Sequence, residues 1–189
     1  MARDITEHHD VIPTLGEIFR EFGFAGTSLA EITHRTGLGK GSLYHYFPNG
    51  KKEMAEVVLD NVAIWFEENV FLPLRESNNP KHGIKVMFKA VDDYFHSGKR
   101  ICLVGAFSLD NTRDQFACKL NSYFTSWNQA LASALKRDGL NANLANDISE
   151  DVVTSIQGAL VLARSQDNPK VFTRTLKRLK KRIESSAHD

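Results

Sequence analysis

The sequence predicts an all-α protein of about nine helices, and three observations lead to this class. Apolar residues recur at helical spacing through most of the 189 residues, for example at Phe172, Leu176 and Leu179. No two alternating apolar segments enclose a hairpin turn, so strands are not expected. The segments between the periodic stretches are short, as is usual in helical bundles.

The first helix is predicted from near Thr6 to Phe22, with its apolar residues on one face. Gly23 follows the last of them and is expected to end the helix. Pro13 lies inside this segment and lacks an amide proton, so it either kinks the helix or marks its effective start. The inward face is expected to hold Val11, Leu15, Ile18, Phe19 and Phe22.

Two short helices follow the first one. The earlier spans Leu29 to Thr36 and is capped by Thr27 or Ser28; if Ser28 is the cap, Glu31 takes the third position of a capping box. A glycine-containing turn separates it from the later one, Lys40 to Phe47. This outline, two short helices joined by a tight turn, is typical of a helix-turn-helix.

The remaining helices are longer. They are predicted at Lys51 to Leu72, stopped by Pro73, then at Pro80 to Ser97, Thr112 to Lys136, Asp147 to Ser165 and Asn168 to Ser185. An irregular segment is expected from Ile101 to Leu109. We therefore expect a helix-turn-helix domain at residues 1–50 and a larger helical domain at residues 51–189.

Composition excludes several classes of protein. Hydrophobic residues make up 42% and charged residues 25% of the chain, which is ordinary for a globular protein. The apolar runs are too short to cross a membrane, and the polar, acidic N-terminus predicts no signal peptide. Cys102 and Cys118 form no CxxC pair, which suits the reducing cytoplasm. A cytoplasmic location without membrane contact is expected.

Charge changes sign along the N-terminal region. Residues 1–31 carry six acids and two bases, whereas residues 32–52 carry no acid. The bases of this second segment are Arg35, Lys40, Lys51 and Lys52, with His34 and His45 beside them. Such a segment is typical of an anion-facing surface, although chance clustering is an alternative.

The denser basic run from Lys170 to Arg182 decorates an amphipathic helix and indicates a solvated face, with nucleic-acid contact as the alternative.

The second short helix carries the chemistry expected of a groove-reading helix. Gly41 and Ser42 lack bulk, Lys40 can neutralise a phosphate, and Leu43 and Phe47 supply an inward face. Three consecutive hydrogen-bonding aromatic residues complete it, namely Tyr44, His45 and Tyr46. The alternative interpretation is an aromatic-rich helix that packs inside the protein.

These residues resemble the TetR family of bacterial transcriptional repressors. The similarity lies within the first 50 residues or so, running from Val11-Ile12 to Phe47, and the string Gly41-Ser42-Leu43-Tyr44-His45-Tyr46-Phe47 is highly specific. The segment Phe47 to Glu53, with a glycine before Lys51, is similar to the LmrA/YxaF-like branch. Weaker similarity to that branch lies at Cys102–Gly105 and at residues 157–163.

The resemblance implies a homodimer that binds a palindromic duplex DNA operator and carries an effector pocket in its C-terminal helices. By position, Lys40, Tyr44, Tyr46 and Lys51 would hold phosphates, as would Thr27 and Ser28 at a helix start. Gly41, Ser42 and His45 would lie nearest the base edges. The last two helices would form the dimer interface, with small residues at Gly158, Ala159 and Ala163 and an apolar centre at Ile156 and Leu160.

An unusually aromatic region suggests the effector site. An apolar chamber with a few polar tips suits a small hydrophobic or electrophilic molecule, although such residues also form ordinary cores. The candidates are Trp65, Phe66, Phe88, Phe95, Cys102, Phe107, Tyr123, Phe124 and Trp127. Lys99 and Arg100 precede Cys102 and favour its thiolate, which would react with oxidants or electrophiles; packing as a small buried side chain is the alternative.

Two other classes of function are alternatives to a repressor. The sequence contains none of the strings HExxH, GxSxG, GxGxxG or the P-loop, and its seven histidines are scattered. No enzyme activity, metal site or cofactor is therefore expected, apart from a helical thiol enzyme using Cys102. A small-molecule-binding protein that no longer contacts DNA is the third class, and the intact segment from Lys40 to Phe47 argues against it.

Overall fold

The structure is a computed structural model that describes the backbone of residues 8–186 and the side chains of residues 11–186. Its helices are α1 (His8–Gly26), α2 (Leu29–Thr36), α3 (Lys40–Tyr46), α4 (Lys51–Phe66), α5 (Leu72–Glu76), α6 (Pro80–Tyr94), α7 (Leu103–Ser108), α8 (Ala117–Arg137), α9 (Ala142–Ser165) and α10 (Lys170–Ser186). A π-helical turn at Glu67–Phe71 joins α4 to α5. The predicted all-α class is confirmed, and the described residues contain no strand.

Packing divides the chain into two compact units. Of the described residues, the first unit comprises those up to 63 together with 103–120, and the second comprises 64–102 and those from 121 onward. The boundary falls inside α4, because α7 and the segment after it pack with α1 rather than with the later helices. The boundary predicted at residue 50, between a helix-turn-helix domain and a larger helical domain, stays a prediction. Among the described residues, no helix is long and apolar enough to cross a membrane.

The break in α1 lies at Gly23 and not at Pro13. Gly23 has φ 67° and ψ 176°, which are extended values in the half of backbone space that glycine alone enters easily. The helix continues through Pro13, so the kink expected there is wrong. The predicted start near Thr6 lies outside the described residues.

The cap of α2 has the predicted form. The Glu31 amide donates to Ser28 Oγ over 3.1 Å, so Ser28 is the N-cap. The helix ends at Gly37, which adopts φ 70° and donates its amide to the carbonyl oxygen of Thr33. α3 ends at Tyr46, one residue before the predicted end, because Phe47 leaves the helical region with φ −132°.

The predicted stop at Pro73 is wrong. Pro73 has no amide proton, and the backbone adapts one turn earlier: the Leu72 amide donates to Glu67 in a π-type bond. The side-chain amide of Asn69 donates to the Trp65 carbonyl over 2.8 Å, satisfying an acceptor in this widened turn. The chain stays helical without a break from Lys51 to Glu76.

Several other boundaries differ from the sequence prediction. The segment Ile101–Leu109 is not irregular, because Leu103, Val104 and Phe107 bury one face of α7. α6 ends at Tyr94, where His96 and Ser97 take positive φ values of 49° and 53°. α8 begins at Ala117 after a 3-10 turn. α9 begins at Ala142, earlier than predicted, since the Asn141 side chain accepts the Leu144 amide over 2.9 Å.

Candidate DNA-binding surface

An apolar centre holds the short helices of the first unit together. Ile32 of α2, Leu43 of α3 and Phe47 after α3 are fully buried. Leu43 and Phe47 lie one helical turn apart, so burying both fixes which side of α3 faces inward. The remaining side of α3 is therefore directed away from the core by packing and not by local propensity.

The outward side of α3 carries the predicted DNA-contacting residues. Lys40, Gly41, Ser42, Tyr44 and His45 are all exposed, and the exposed fraction of Tyr44 is 47%. Tyr46 is half-buried, and its ring centroid lies 5.7 Å from that of His45. An internal packing helix would bury these rings, so that alternative does not fit the structure.

The glycines at the start of α3 are not required by the fold. A β-carbon added at Gly39 or Gly41 would meet no atom within 4 Å, and neither residue has a positive φ. An alanine would therefore fit at either position. The lack of a side chain at Gly41 instead leaves the first turn of α3 open to a close approach by another molecule.

Some of the bases of residues 32–52 are paired with carboxylates of the protein itself. Arg35 binds Glu21 and Glu31, each over 2.7 Å, and these two carboxylates raise the pKa of its guanidinium. Lys52 lies 3.9 Å from Glu56. Lys40 makes no ion pair with any described residue. The positive charge of this surface is therefore concentrated at the start of α3.

The structure places the ammonium of Lys51, a predicted phosphate contact, against backbone carbonyls of the protein itself. Its ammonium donates to the carbonyl oxygens of Phe24 and Thr27 over 2.8 and 2.9 Å and lies 4.6 Å from the centroid of the Phe24 ring. These carbonyls lie beyond the break at Gly23 and need donors. Lys51 thus connects the end of α1 to the start of α4. The position of a lysine at a helix start gives no sequence signal for this role.

Thr27 and Ser28 are placed differently from each other. Thr27 is 2% exposed, and its hydroxyl donates to the Gly23 carbonyl over 2.6 Å, so the side chain is directed inward and not toward a phosphate. Ser28 is exposed while it caps α2. Only Ser28 of this pair keeps its side chain at the surface.

Asp110 also braces this region, and sequence reasoning missed it. The carboxylate accepts the amide and the hydroxyl of Thr112 over 2.8 and 2.5 Å, together with the amides of Phe24 and Ala25. These donors, those of Thr112 first, lower the pKa of Asp110. Through these hydrogen bonds the carboxylate connects the last turn of α1 to the segment after α7. Because Asp110 is far from α1 in the sequence, no local sequence pattern indicates this contact.

The aromatic residues of the second unit form a filled cluster. Phe66 is fully buried at its centre, and six rings lie with their centroids 4.8–6.2 Å from that of Phe66. These six are Trp65, Phe71, Tyr94, Phe95, Tyr123 and Trp127, and Phe124 contacts Tyr123. The cluster brings together six predicted ligand-binding residues, and it also contains Phe71 and Tyr94, which are not among the predicted ones.

Three predicted ligand-binding residues lie outside this cluster. Phe107 packs with Phe19, Phe24 and Phe116 in the core of the first unit, and none of its ring contacts with described residues joins it to the cluster. Phe88 lines a separate groove, and no ring of the cluster contacts it among the described residues. Cys102 is buried, which favours its packing role, while Cys118 is exposed. No group of three potential metal ligands occurs in the described part of the chain.

Comparison with known proteins agrees with this geometry. The family model for "Bacterial regulatory proteins, tetR family" matches residues 16–58, and the model "Transcriptional regulator LmrA/YxaF-like, C-terminal domain" matches residues 80–178. Two regulators of Bacillus subtilis (strain 168) are similar. YxaF is 26% identical over 159 residues, covering 81% of this chain and 82% of YxaF, and LmrA is 23% identical over 164 residues, covering 84% and 86%.

Solved structures show the same fold. A TetR transcriptional regulator from Legionella pneumophila superposes with a TM-score of 0.82 at 16% identity, covering 96% of this chain and 100% of that one. A TetR regulator from Chloroflexus aurantiacus gives 0.76 at 18% identity, covering 94% and 93%. Since the C-terminal model alone matches just over half of the sequence, the chain belongs to the TetR family of transcriptional regulators, in its LmrA/YxaF-like branch.

Proposed function

We propose that this regulator is a repressor that binds a palindromic operator as a homodimer and is released by a small hydrophobic or electrophilic effector. The observation that carries the proposal is the outward side of α3, where exposed hydrogen-bonding residues meet an uncompensated lysine on a helix whose other side is fixed in the core. Such a helix suits the major groove, which admits one α-helix.

The contacts of α3 divide into two kinds. Lys40, Tyr44 and Tyr46 are proposed to bind phosphates and set the orientation of the helix, with Ser28 at the start of α2. Ser42 and His45 are proposed to reach base edges, and Gly41 allows the close approach. Lys51 and Thr27 are better assigned to holding α1, α2 and α4 in place, because their polar groups bind backbone carbonyls.

The proposed dimer interface lies on α9 and differs in detail from the sequence expectation. Ile156 and Leu160 are buried within the protomer and are not available to a second copy. Val161 and Leu162 are 59% and 49% exposed. A β-carbon at nearby Gly158 would meet no atom within 4 Å, so a partner helix has room there. Exposed apolar residues beside a glycine support close packing of two helices.

The effector is proposed to enter the aromatic cluster. The Trp127 ring nitrogen is buried and donates no hydrogen bond to any described residue, and leaving such a donor unmet costs about 1–3 kcal/mol. A ligand with an apolar body and one acceptor oxygen would satisfy it. Because the rings are packed against one another, they must shift to admit the ligand, which gives a physical basis for a change in conformation.

Selection from random duplex DNA tests the proposed function. The wild-type protein is expected to enrich one palindrome, bind it as a dimer and lose affinity when a matching effector is added. Tyr44→Ala should weaken binding while leaving the dimer intact in sedimentation, because Tyr44 lies at the surface. Enrichment of no sequence, or of a site without two-fold symmetry, would contradict the proposal.

A further inference from the structure

A groove on the second unit shares no lining residue with the exposed side of α3 or with the aromatic cluster. It has a volume of about 380 Å³ and runs between α6 and α10, within the size range of small-molecule sites. Its lining residues are Lys81, Ile84, Lys85, Phe88, Asp138, Lys180, Ile183 and Glu184. Phe88 belongs to this groove and makes no ring contact with the described rings of the aromatic cluster.

The groove is amphipathic. Its floor consists of Ile84 and Phe88 from α6 and Ile183 from α10, all of them apolar. The Lys180 ammonium lies 5.4 Å from the centroid of the Phe88 ring, so its positive charge is next to the apolar floor. A ligand that enters here meets carbon atoms below and positive charge at the rim.

The lysines of the rim are unfavourably placed for the stability of α6. Lys81 lies in the first turn, where the helix dipole disfavours a cation, and that turn contains no acid. Lys85 follows one turn later on the same side, and like charges at this spacing repel. Neither lysine forms an ion pair with a described residue. Helix stability therefore does not account for these two charges.

The charges of the whole lining leave a positive excess. Three lysines, at positions 81, 85 and 180, face two carboxylates, at Asp138 and Glu184. α10 adds Lys177 and Lys181, both exposed, next to Lys180. A negatively charged group is thus attracted to the rim, and the apolar floor requires that it carry a hydrocarbon portion.

We propose that this groove binds a small anionic amphiphile, specifically a medium-chain alkyl carboxylate. The alkyl chain lies on Ile84, Phe88 and Ile183, and the carboxylate binds the ammonium groups of Lys81 and Lys85. Each part supplies a separate contribution: burial of methylene groups, and charge-assisted hydrogen bonds.

Calorimetric titration with decanoate tests this inference on the full chain. Lys81→Ala combined with Lys85→Ala should weaken decanoate binding about tenfold or more, since two charge-assisted contacts are lost. Lys89→Ala is the matched control. It removes the same charge from an exposed position on α6 where the lysine already binds Asp93, over 2.5 Å, and it should bind decanoate like the wild type.

Two further ligands separate the contributions of charge and chain. Decanol carries the chain without the charge and acetate carries the charge without the chain, so both should bind much more weakly than decanoate. The double variant should unfold at the same or a higher denaturant concentration than the wild type, because it loses the repulsion within α6. No binding of decanoate, equal binding by the double variant, or equal binding of decanol would overturn the proposal.

Discussion

Lys40 is distinguished from the other bases of residues 32–52 by its surroundings. Arg35 binds two carboxylates, Lys51 binds two carbonyls, and Lys52 lies near Glu56, whereas Lys40 is exposed without an ion pair to a described residue. A charge that no local partner uses is the one most available to a phosphate. The same bases looked equivalent in the sequence, because ion pairing between helices cannot be inferred from a count.

Lys40→Ala should therefore change the salt dependence of operator binding. The proposed dimer carries two copies of Lys40 and so loses two phosphate contacts, which lowers the slope of log affinity against log salt concentration by about 1.8, or about 0.9 per contact, and affinity should fall for all sequences alike. Lys136→Ala, which removes a charge from an exposed position in α8, should leave the slope unchanged. Fluorescence anisotropy over a range of salt concentrations measures both. An unaltered slope for Lys40→Ala would rule out its phosphate contact.

Asp110 links stability to pH. Its hydrogen bonds make the native pKa lower than the unfolded value of about 3.9, so the unfolded chain binds more protons at acid pH. The contribution is complete above the unfolded pKa and is lost as the pH falls through the native pKa. Asp110→Asn should lower the free energy of unfolding by about 1 kcal/mol at neutral pH.

Urea titrations of both proteins at several pH values measure this effect. The difference between wild type and Asp110→Asn should shrink as the pH falls below about 4, because the unfolded wild-type chain then binds a proton that the native carboxylate does not, and it should level off once the native carboxylate is protonated too. Thr112→Val serves as a partner variant that removes one donor to the carboxylate and should narrow the difference at neutral pH. A difference that is independent of pH would show that charge at Asp110 does not stabilise the protein.

At the scale of helices, two glycines can be compared, because each lies in a helix but the space around them differs. Gly41 in α3 has open space around it, whereas a β-carbon at Gly83 in α6 would lie 2.4 Å from the Pro73 carbonyl oxygen. Gly41→Ala should therefore raise the free energy of unfolding by up to about 0.5 kcal/mol. Gly83→Ala should lower it by about 1–3 kcal/mol through overpacking. Chemical denaturation gives both values.

In operator binding the same two variants should rank in the opposite order, with Gly83→Ala binding more tightly than Gly41→Ala. Gly41→Ala adds a methyl group to the surface of α3 and should weaken binding although the protein is more stable. Gly83→Ala should bind normally at temperatures where it is folded, since Gly83 is buried in α6. Tight binding by Gly41→Ala would mean that the start of α3 does not approach DNA closely.

The sequence patterns predicted some helices better than others, for physical reasons. The serine cap and the glycine that follows Thr36 located α2 correctly, because both signals are local. The six residues of α7 are too few to establish a period, and only their burial identifies the inward face. Pro73 was expected to end a helix because a π turn, which accommodates its missing donor, has no sequence signal of its own.

At the scale of the whole molecule, the proposed repressor needs two copies of α3, so the dimer is a condition for function. Recognition helices of a dimer must meet half-sites about 34–36 Å apart. The interface is expected where α9 leaves Val161 and Leu162 exposed, and not at Ile156 or Leu160, which the protomer already buries. Periodicity could mark α9 as apolar but not divide its apolar residues between the core and a partner.

Val161→Asp should convert the dimer to a folded monomer, because an unpaired charge would be buried at the centre of the interface. Leu109→Asp is the control: this leucine is 84% exposed and lies outside α9, so the dimer should persist. Sedimentation velocity gives the mass of each variant, and circular dichroism verifies that both remain helical. The monomer should bind the operator far more weakly than the wild type, since the two α3 helices no longer bind jointly. A Val161→Asp protein that stays dimeric would move the interface away from this part of α9, while leaving the assignment of α3 intact.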